Sequence, residues 1–434
     1  MHSFHYQRGK LSCESYPLDK AAERFGTPLY VYSSQTIVDH YQRLDHALHE
    51  LHHEICYAVK ANSNLSVIRL LANQGAGFDI VSGGELYRVI KAGGNPAKCT
   101  FAGVGKSREE IEYALRCEVL SFNIESEQEL IAIDEIARSL NKRAPIAIRV
   151  NPDVSANTHK YISTGKTESK FGIAIDRVAE VYARAQKMNN IKIRGVQMHI
   201  GSQITEIRPF VQAIEKMVPL VRHLKSECGI EFFSIGGGIG IIYRGSLESG
   251  DKIWWKDDEP KHAMTIQDYA SATIPLLKSL SMRVLLEPGR FLVGNAGVLL
   301  TRVLYVKKTP AKTFVIVDAG MNDLIRPALY QGYHEVVPVR ESKDEPLSKV
   351  DVVGPVCETG DFFALDRDLA NVESGDILAL MSAGAYGFTM ASNYNSRPFP
   401  AEVMISGSEA KIVRRRQTYA DLIDHEVTES QKTS

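Results

Sequence analysis

Several residues that can take part in covalent or acid–base chemistry stand directly after short apolar runs. Lys60 closes the run in "YAVKAN", Asp79 and Ser82 lie in "FDIVS", and Glu287 follows "RVLL". A lysine amine attacks an aldehyde to form an imine when burial or a nearby charge lowers its pKa. A carboxylate can hold a proton on a bound nitrogen base. The recurring position predicts that these side chains belong to one site.

A glycine run offers a loop for a phosphate. In "GGGIG", residues 236–240, the absence of Cβ atoms would let backbone N–H groups approach an anion. A dinucleotide site is the obvious alternative, but its G-x-G-x-x-G spacing needs glycine where Ile241 stands. Taken alone, the run could also be a plain turn.

The motif "EPGR", residues 287–290, completes this chemistry. Glu287 could keep a pyridinium nitrogen protonated, which makes an aromatic ring an electron sink, and Arg290 could bind a phosphate or a carboxylate through its bidentate fork. His199 in "QMHIGSQI" has no second ligand at metal spacing, so ring stacking is the better functional prediction. A strand-end turn and a core histidine are the alternatives for these residues taken singly. Together with Lys60, they fit an aromatic aldehyde phosphate such as pyridoxal phosphate (PLP).

A parallel barrel would position these residues. Eight apolar runs of strand length are separated by helix-length stretches, and they read "EICYAVK", "GFDIVS", "CTFAG", "EVLSFNI", "PIAIRVN", "GVQMHIG", "EFFSIGGG" and "MRVLLEPG". Nearly continuous apolar runs are typical of parallel strands buried on both faces. Leu65, Ile68 and Leu71 recur at helical spacing in the first connection. We predict a (β/α)8 barrel with its site at the carboxyl ends of the strands.

The remainder of the chain indicates a second, mostly antiparallel β domain. After Ala296 the sequence consists of short apolar runs separated by turns, followed by a charged tail with one more strand and a final helix. The start of the chain, up to "PLYVY", would pair with this domain. The predicted division is residues 1–35 as an N-terminal segment of the β domain, 36–295 as the PLP-binding barrel, and 296–434 as the C-terminal β domain.

Composition excludes several classes of protein. The 434 residues are 44% hydrophobic and 24% charged, with a formal net charge of -1, so no global field attracts nucleic acid or an anionic membrane. The sequence shows neither a signal peptide nor an apolar run of the roughly 18 residues that a membrane span needs. Six scattered cysteines form no CxxC pair. We expect a cytoplasmic protein that acts on a small molecule and holds no metal.

The chain resembles the PLP-dependent decarboxylases of fold type III, which share the alanine racemase-like barrel. The resemblance runs from about residue 20 to 405, in the motifs "YAVKANSN", "FDIVSGGEL", "HIGSQI", "GGGIG", "LLEPGRFLVGNAG", "DAGMNDLIRPALY", "GPVCETGDFF" and "GAYGFTMASNYNSRP". It is closest to the branch that converts meso-2,6-diaminopimelate to L-lysine and CO2, the last step of lysine biosynthesis. The stretch "NPDVSANTHKYISTGKTESKFGI" also points to this branch.

The resemblance implies a role for each matching residue. Lys60 would bind the cofactor as an imine and act in catalysis together with Cys357. The other cofactor contacts would come from Asp79, His199, Ser202, Gly238, Glu287, Gly289, Arg290 and Tyr386. The substrate would be bound by Arg290, Arg326, Tyr330, Glu358 and Tyr386. Cys357 and Glu358 would enter from the partner subunit, so the active form would be a homodimer with shared sites.

Charge complementarity would favour the substrate that the resemblance implies. Diaminopimelate has two amino-acid ends, and Arg290 and Arg326 could bind the carboxylate of the end that does not react, which ornithine lacks. A PLP decarboxylase of ornithine, arginine or carboxynorspermidine is the alternative enzyme, and a non-catalytic PLP-binding homologue is the alternative outside enzymes. The insertion Ser246–Ala263 is expected to be an exposed loop, with a lid or a subunit contact as the functional alternative.

Overall fold

The computed structural model describes residues 2–154, 170–251, 254, 263–341 and 346–427. Its strands are, in chain order, β1 (Phe4–Gln7), β2 (Lys10–Cys13), β3 (Tyr16–Pro17), β4 (Leu29–Ser33), β5 (His53–Ala58), β6 (Gly77–Ile80), β7 (Cys99–Phe101), β8 (Ser121–Ile124), β9 (Ala144–Asn151), β10 (Ile173–Ala174), β11 (Ile191–Met198), β12 (Phe232–Ser234), β13 (Arg283–Leu286), β14 (Gly297–Lys308), β15 (Thr313–Val317), β16 (Val336–Pro338), β17 (Leu347–Val353), β18 (Phe362–Ala370), β19 (Ile377–Leu380), β20 (Ala401–Ser406) and β21 (Glu409–Arg414). The α-helices are α1 (Leu18–Phe25), α2 (Ser34–Ala47), α3 (Leu65–Asn73), α4 (Gly83–Lys91), α5 (Arg108–Arg116), α6 (Glu127–Ser139), α7 (Val178–Ala185), α8 (Arg208–Cys228), α9 (Ile266–Lys278), α10 (Arg290–Val293), α11 (Arg326–Tyr330) and α12 (Tyr419–Ile423).

The chain forms two compact units. The first unit combines the described residues of Met1–Thr36, Ile242–Asp257 and Gly294–Ser434, and we call it the β domain. The second unit combines those of Ile37–Ile241 and Asp258–Val293, and it is the barrel.

The barrel is closed by eight parallel strands. Strands β5, β6, β7, β8, β9, β11, β12 and β13 follow one another around it, and β13 pairs back with β5, while the short β10 adds to the end of β9. Each of the eight predicted runs supplies one of these strands, so the predicted barrel is confirmed. Its interior contains an apolar cluster of Leu120, Ala147, Phe232 and Leu285.

The first crossover helix shows how the apolar pattern is used. Helix α3 is capped by Asn64, whose side chain accepts a hydrogen bond from the Ser66 N–H, and it buries Val67, Ile68 and Leu71. The predicted helix is confirmed: Ile68 and Leu71 lie on its buried face, whereas Leu65, its first residue, is 39% exposed. Residues at spacing i, i+1 and i+4 therefore form the buried face.

The β domain is a mostly antiparallel sheet. Its strands are ordered β18, β17, β15, β14, β4, β20 and β21. In addition, β19 pairs with β14, and β16 pairs with β19. The pairs β15–β17 and β4–β20 are parallel. Strand β4 is buried at all five residues between β14 and β20, which confirms that the N-terminal segment joins this domain.

The start of the insertion differs from the expected exposed loop. Ser246 is fully buried, and its hydroxyl lies 2.6 Å from that of Ser382. The Leu247 N–H donates to Glu335 at 2.8 Å. The expectation is therefore wrong for Ser246 and Ser249, which are buried by contacts within the β domain, whereas Glu248 and Asp251 are exposed as expected. Residues 252–253 and 255–262 of the insertion lie outside the described residues.

Across the described part of the chain, no helix combines the length and apolar character that crossing a membrane requires. The six cysteines are all free thiols, and Cys357 is the exposed one among them.

Candidate active site

Lys60 and Asp79 form the first pair of the site. Lys60 lies in a short 3-10 turn, Val59–Ala61, immediately after β5 rather than on the strand. Its Nζ is 2.7 Å from Asp79 Oδ2, on the neighbouring strand β6. The Asp79 side chain is 1% exposed, whereas that of Lys60 is 40% exposed. The Asp79 carboxylate thus orients the Lys60 amine and leaves it accessible to a ligand.

Glu287 is a buried carboxyl group that three strands hold in place. Ser234 Oγ donates to its Oε1 at 2.7 Å, Gln197 Nε2 donates to its Oε2 at 2.9 Å, and Asn123 Nδ2 lies 3.5 Å from Oε1. Burial, reinforced by the negative charge of Asp79, raises the pKa of Glu287 to about 7. This carboxyl group can therefore hold or release a proton near neutral pH.

His199 follows β11 and is held as a neutral ring. The Gly237 N–H donates to its Nδ1 at 3.2 Å, so Nδ1 is an acceptor and the ring proton lies on Nε2. Burial and the positive charges of Arg149 and Lys60 hold the pKa of His199 well below its usual range. The described residues contain no group of three potential metal ligands.

Arg149 is anchored by Glu125, a residue that the sequence analysis missed. The Nη1 atom of Arg149 lies 2.8 Å from Glu125 Oε1, and both side chains are buried. Glu125 also accepts hydrogen bonds from the N–H groups of Gly103, at 3.2 Å, and Gly172, at 2.8 Å. The guanidinium lies 4.7 Å from the centre of the Phe171 ring. One carboxylate thus ties together three loops at the carboxyl ends of the strands.

The first three glycines of the run, Gly236–Gly238, lie where a side chain would not fit. A Cβ atom on Gly237 would overlap the carbonyl oxygen of Glu287, and one on Gly236 would overlap that of Met198. Gly238 has a φ of 108°, and its carbonyl accepts a hydrogen bond from the Ile204 N–H at 2.9 Å. The loop is thereby fixed against the chain that follows β11 and β13.

Ser202 and Arg290 come together beside this loop. Arg290 Nη2 lies 3.2 Å from Ser202 Oγ, and Arg290 begins the short helix α10. Gly289 precedes it, and its carbonyl accepts a hydrogen bond from the Leu292 N–H. Ser82, a further polar residue at a strand end, caps helix α4 through the Glu85 N–H instead. The structure therefore gives Ser82 a local structural role.

Arg326 and Tyr330 are the first and last residues of helix α11 in the β domain. The Arg326 side chain is almost wholly buried, and its Nη1 lies 2.6 Å from Nε2 of His334. Its guanidinium carbon is 4.6 Å from the centre of the Tyr243 ring. His334 and Tyr243 were not singled out from the sequence, because a histidine and a tyrosine in loops give no periodic signal.

Cys357 and Glu358 lie on an exposed loop of the β domain. The Cys357 N–H donates to Asn395 Oδ1 at 3.2 Å, and Tyr394 OH donates to Glu358 Oε2 at 2.8 Å. The loop is shaped by the buried Asp361, which accepts hydrogen bonds from the N–H groups of Val356 and Met321. Both predicted functional side chains are thus presented to the surroundings from a structured loop.

Tyr386 has a left-handed backbone conformation with a φ of 57°. A bulky residue rarely adopts this conformation, and such strain is concentrated at functional sites. The next residue, Gly387, is packed so that a Cβ would lie 2.5 Å from the Ala383 carbonyl oxygen and 2.8 Å from Tyr30 OH. The conformation of the turn is therefore fixed by its packing.

The barrel residues fit PLP. Lys60 offers an accessible amine, Glu287 a protonatable carboxyl group, and Gly236–Gly238 a stretch without Cβ atoms beside Ser202 and Arg290. Within the described residues, Asp79 Oδ1 is a buried acceptor with no hydrogen-bond partner. The site therefore retains an acceptor that a ligand could use.

Comparisons with known proteins agree with this assignment. Residues 34–294 match the family model described as pyridoxal-dependent decarboxylase, pyridoxal binding domain. The chain is 50% identical over 423 residues to a diaminopimelate decarboxylase of Pseudomonas aeruginosa, covering 97% of this chain and 98% of that protein. It is 46% identical over 425 residues to the enzyme of that name from Vibrio cholerae, covering 97% and 98%.

A solved structure is also similar over the whole chain. The diaminopimelate decarboxylase of M. jannaschii, in co-complex with L-lysine, has a TM-score of 0.90 at 38% identity, covering 99% of this chain and 98% of that chain. Fold, site chemistry and full-length similarity lead to one conclusion. The chain belongs to the diaminopimelate decarboxylase family of PLP-dependent enzymes.

Proposed function

We propose that the protein decarboxylates meso-2,6-diaminopimelate to L-lysine and CO2 with PLP, as the last step of lysine biosynthesis. The observation that carries the proposal is the placement of the accessible Lys60 amine against the buried Asp79, at the same barrel end as the acid Glu287. The shared family, with relatives named for this reaction, supports the choice of substrate.

The barrel residues would bind and orient the cofactor. Lys60 would hold the cofactor through its amine, Glu287 would keep a proton at the pyridine nitrogen, and His199 would lie against the ring. Asp79 orients the Lys60 amine. Ser202, Gly238, Gly289 and Arg290 would bind the phosphate, and Tyr386 would add a further contact. When bound, PLP accepts the electron pair that remains on the substrate once CO2 has left.

Residues of the β domain would select the substrate. Arg326 binds the carboxylate of the end that does not react, together with Arg290 of the barrel, and Tyr330 and Tyr386 contact the same end. Glu358 binds the ammonium group. Both arginines are buried and are suited to this task because their guanidinium forks match a carboxylate in two parallel hydrogen bonds.

A proton must reach Cα of the substrate after CO2 leaves. The Cys357 thiol and the Lys60 amine are the two candidate acids, and both side chains are accessible. The exposed position of Cys357 and Glu358 supports the proposal that they serve the site of a partner subunit in a homodimer. We propose a cytoplasmic location and no nucleic-acid or membrane partner.

Product analysis tests the proposed reaction. The purified protein is incubated with PLP and meso-diaminopimelate, and separately with ornithine, arginine and carboxynorspermidine, while CO2 and amine products are followed. We expect lysine and CO2 from diaminopimelate alone. Turnover of only another substrate would retain the fold and cofactor but contradict the roles of Arg290 and Arg326. No turnover of any substrate would favour the non-catalytic homologue.

A further inference from the structure

His334 lies at the centre of a buried hydrogen-bond chain in the β domain. Its ring is fully buried, with Nε2 2.6 Å from Arg326 Nη1 and Nδ1 2.8 Å from the carbonyl oxygen of Met381. The Tyr243 ring lies edge-on to His334, with the centroids 5.4 Å apart. His334 therefore touches the guanidinium from within the protein.

The partners of the ring determine its tautomer. A carbonyl oxygen can only accept, so the proton of the neutral ring must lie on Nδ1 and point at Met381. Arginine nitrogens can only donate, so the Arg326 N–H must point at an unprotonated Nε2. The two ring nitrogens of His334 then have one defined role each, Nδ1 as the donor and Nε2 as the acceptor. The ring cannot rotate without losing both hydrogen bonds.

The backbone around His334 is fixed as well. Arg367 Nη1 donates to the His334 carbonyl oxygen at 2.9 Å, and the Gly332 N–H donates to the Arg326 carbonyl oxygen at 3.1 Å. The Tyr243 ring lies against the Arg326 guanidinium. One donor of Arg326 is thus held by His334 and the guanidinium plane is held by Tyr243, which fixes the direction of the remaining donors.

We propose that His334 is a positioning residue that sets the affinity of Arg326 for the carboxylate at the end of the substrate that does not react. This inference rests on the proposed function, because it states that His334 orients Arg326, the residue that binds that carboxylate. His334 is buried and acts only through Arg326, so it influences the binding of molecules that carry this carboxylate and no others.

Steady-state kinetics of the holoenzyme test the proposal. The variants are His334→Phe, which keeps a ring without an acceptor, His334→Gln, whose Oε1 can still accept from Arg326, Arg326→Ala, and the double variant His334→Phe/Arg326→Ala. The measured quantities are KM and kcat for meso-diaminopimelate and the inhibition constants of L-lysine and cadaverine. Lysine retains the carboxylate in question, whereas cadaverine lacks it.

We expect a selective loss of carboxylate binding. In His334→Phe, KM and the inhibition constant of lysine should rise by about ten- to a hundredfold, as expected for a lost hydrogen bond to a charged group, with kcat nearly unchanged. The inhibition constant of cadaverine and the PLP content should stay at the wild-type values. His334→Gln should recover most of the affinity. The double variant should match Arg326→Ala, because His334 acts only through that arginine.

Other outcomes would overturn the inference. Equal weakening of lysine and cadaverine, additive effects in the double variant, or a glutamine variant no better than phenylalanine would each exclude positioning through Arg326. If His334→Phe does not fold, the kinetics of His334→Gln decide whether the inference holds. Failure of the wild-type protein to form lysine from diaminopimelate would instead contradict the proposed function itself, before any variant is compared.

Discussion

Glu125 and Arg149 form a buried ion pair at the ends of two adjacent parallel strands, with 2.8 Å between Glu125 Oε1 and Arg149 Nη1. Ile124 and Ile148 are partners in the sheet, so the residues that follow them lie side by side. The carboxylate also holds the loops at Gly103 and Gly172. The charge of Arg149 in turn helps to keep His199 neutral.

Removal of one member of this pair should destabilise the barrel. Glu125→Ala leaves the guanidinium buried without its partner, and we expect a loss of about 3–5 kcal/mol in the free energy of unfolding. Urea denaturation followed by circular dichroism measures the loss. Glu50→Ala is the matched control, because its ion pair with Lys278 is 48% and 60% exposed and should contribute little. Equal effects of the two substitutions would contradict the role assigned to Glu125.

Gly237→Ala should release the cofactor. The new Cβ would overlap the Glu287 carbonyl oxygen, so the loop must move, and overpacking of this kind costs about 1–3 kcal/mol. PLP retained after gel filtration and the thermal unfolding midpoint should both fall. Gly105→Ala is the control, since its Cβ would meet nothing within 4 Å and its backbone is not left-handed. If the Gly237→Ala variant retains PLP like the wild type, the loop cannot be assigned to the phosphate site.

Lys60→Ala should abolish the visible absorbance that PLP acquires on covalent attachment to the protein. The reason is that Lys60 is the amine held by Asp79 at the carboxyl end of the barrel. Spectra of dialysed protein measure the attachment, and Lys91→Ala, on an exposed helix end, is the control. Persistence of the band in Lys60→Ala would assign the attachment to a different lysine.

Two inactive variants should restore activity when they are mixed. If Cys357 serves the partner's site, a dimer of one Lys60→Ala chain and one Cys357→Ala chain contains one intact site. Random exchange of subunits would then give about a quarter of the wild-type activity, because half of the dimers are mixed and each has one of two sites. Activity after denaturation and refolding of the mixture measures this. No recovery, with refolding verified on the wild type, would place Lys60 and Cys357 of one chain in the same site.

Asp323 should make the stability of the β domain depend on pH. Burial raises its pKa from 3.8 to about 7, so the folded state binds a proton that the unfolded state has released between these values. Stability should therefore fall as the pH rises through about 4 to 7. Urea midpoints at about pH 5 and about pH 8 should differ less in Asp323→Asn than in the wild type. Asp424→Asn, at an exposed residue, should retain the wild-type difference.

The barrel and its main polar residues could be predicted because they follow one rule. Each apolar run becomes a parallel strand, and the chemistry lies where the run ends, as at Lys60 and Glu287. Strand β18 was not predicted, because Asp366, Arg367 and Asp368 interrupt its apolar pattern while Phe363 and Leu369 remain buried. Local periodicity is too weak a signal for a strand whose middle faces solvent.

The supporting residues of the site were harder to find. Asn123, Gln197 and Ser234 are polar residues next to apolar neighbours near the carboxyl ends of their strands, and that contrast could have identified them as buried groups with a common partner. The pairing of Glu125 with Arg149 requires the register of two strands, which the sequence does not contain. Ser246 is buried through contacts with residues distant in sequence, so composition alone indicated an exposed loop.

The position of β4 has a consequence for biosynthesis. This strand is made early, but its neighbours β14 and β20 are encoded beyond the entire barrel. At typical ribosomal speeds, roughly ten to fifty seconds separate the synthesis of β4 from that of β14. During this interval both edges of the apolar strand β4 are unpaired, which favours aggregation. One edge of β4 becomes paired only after β14 has been made, and the other only after β20.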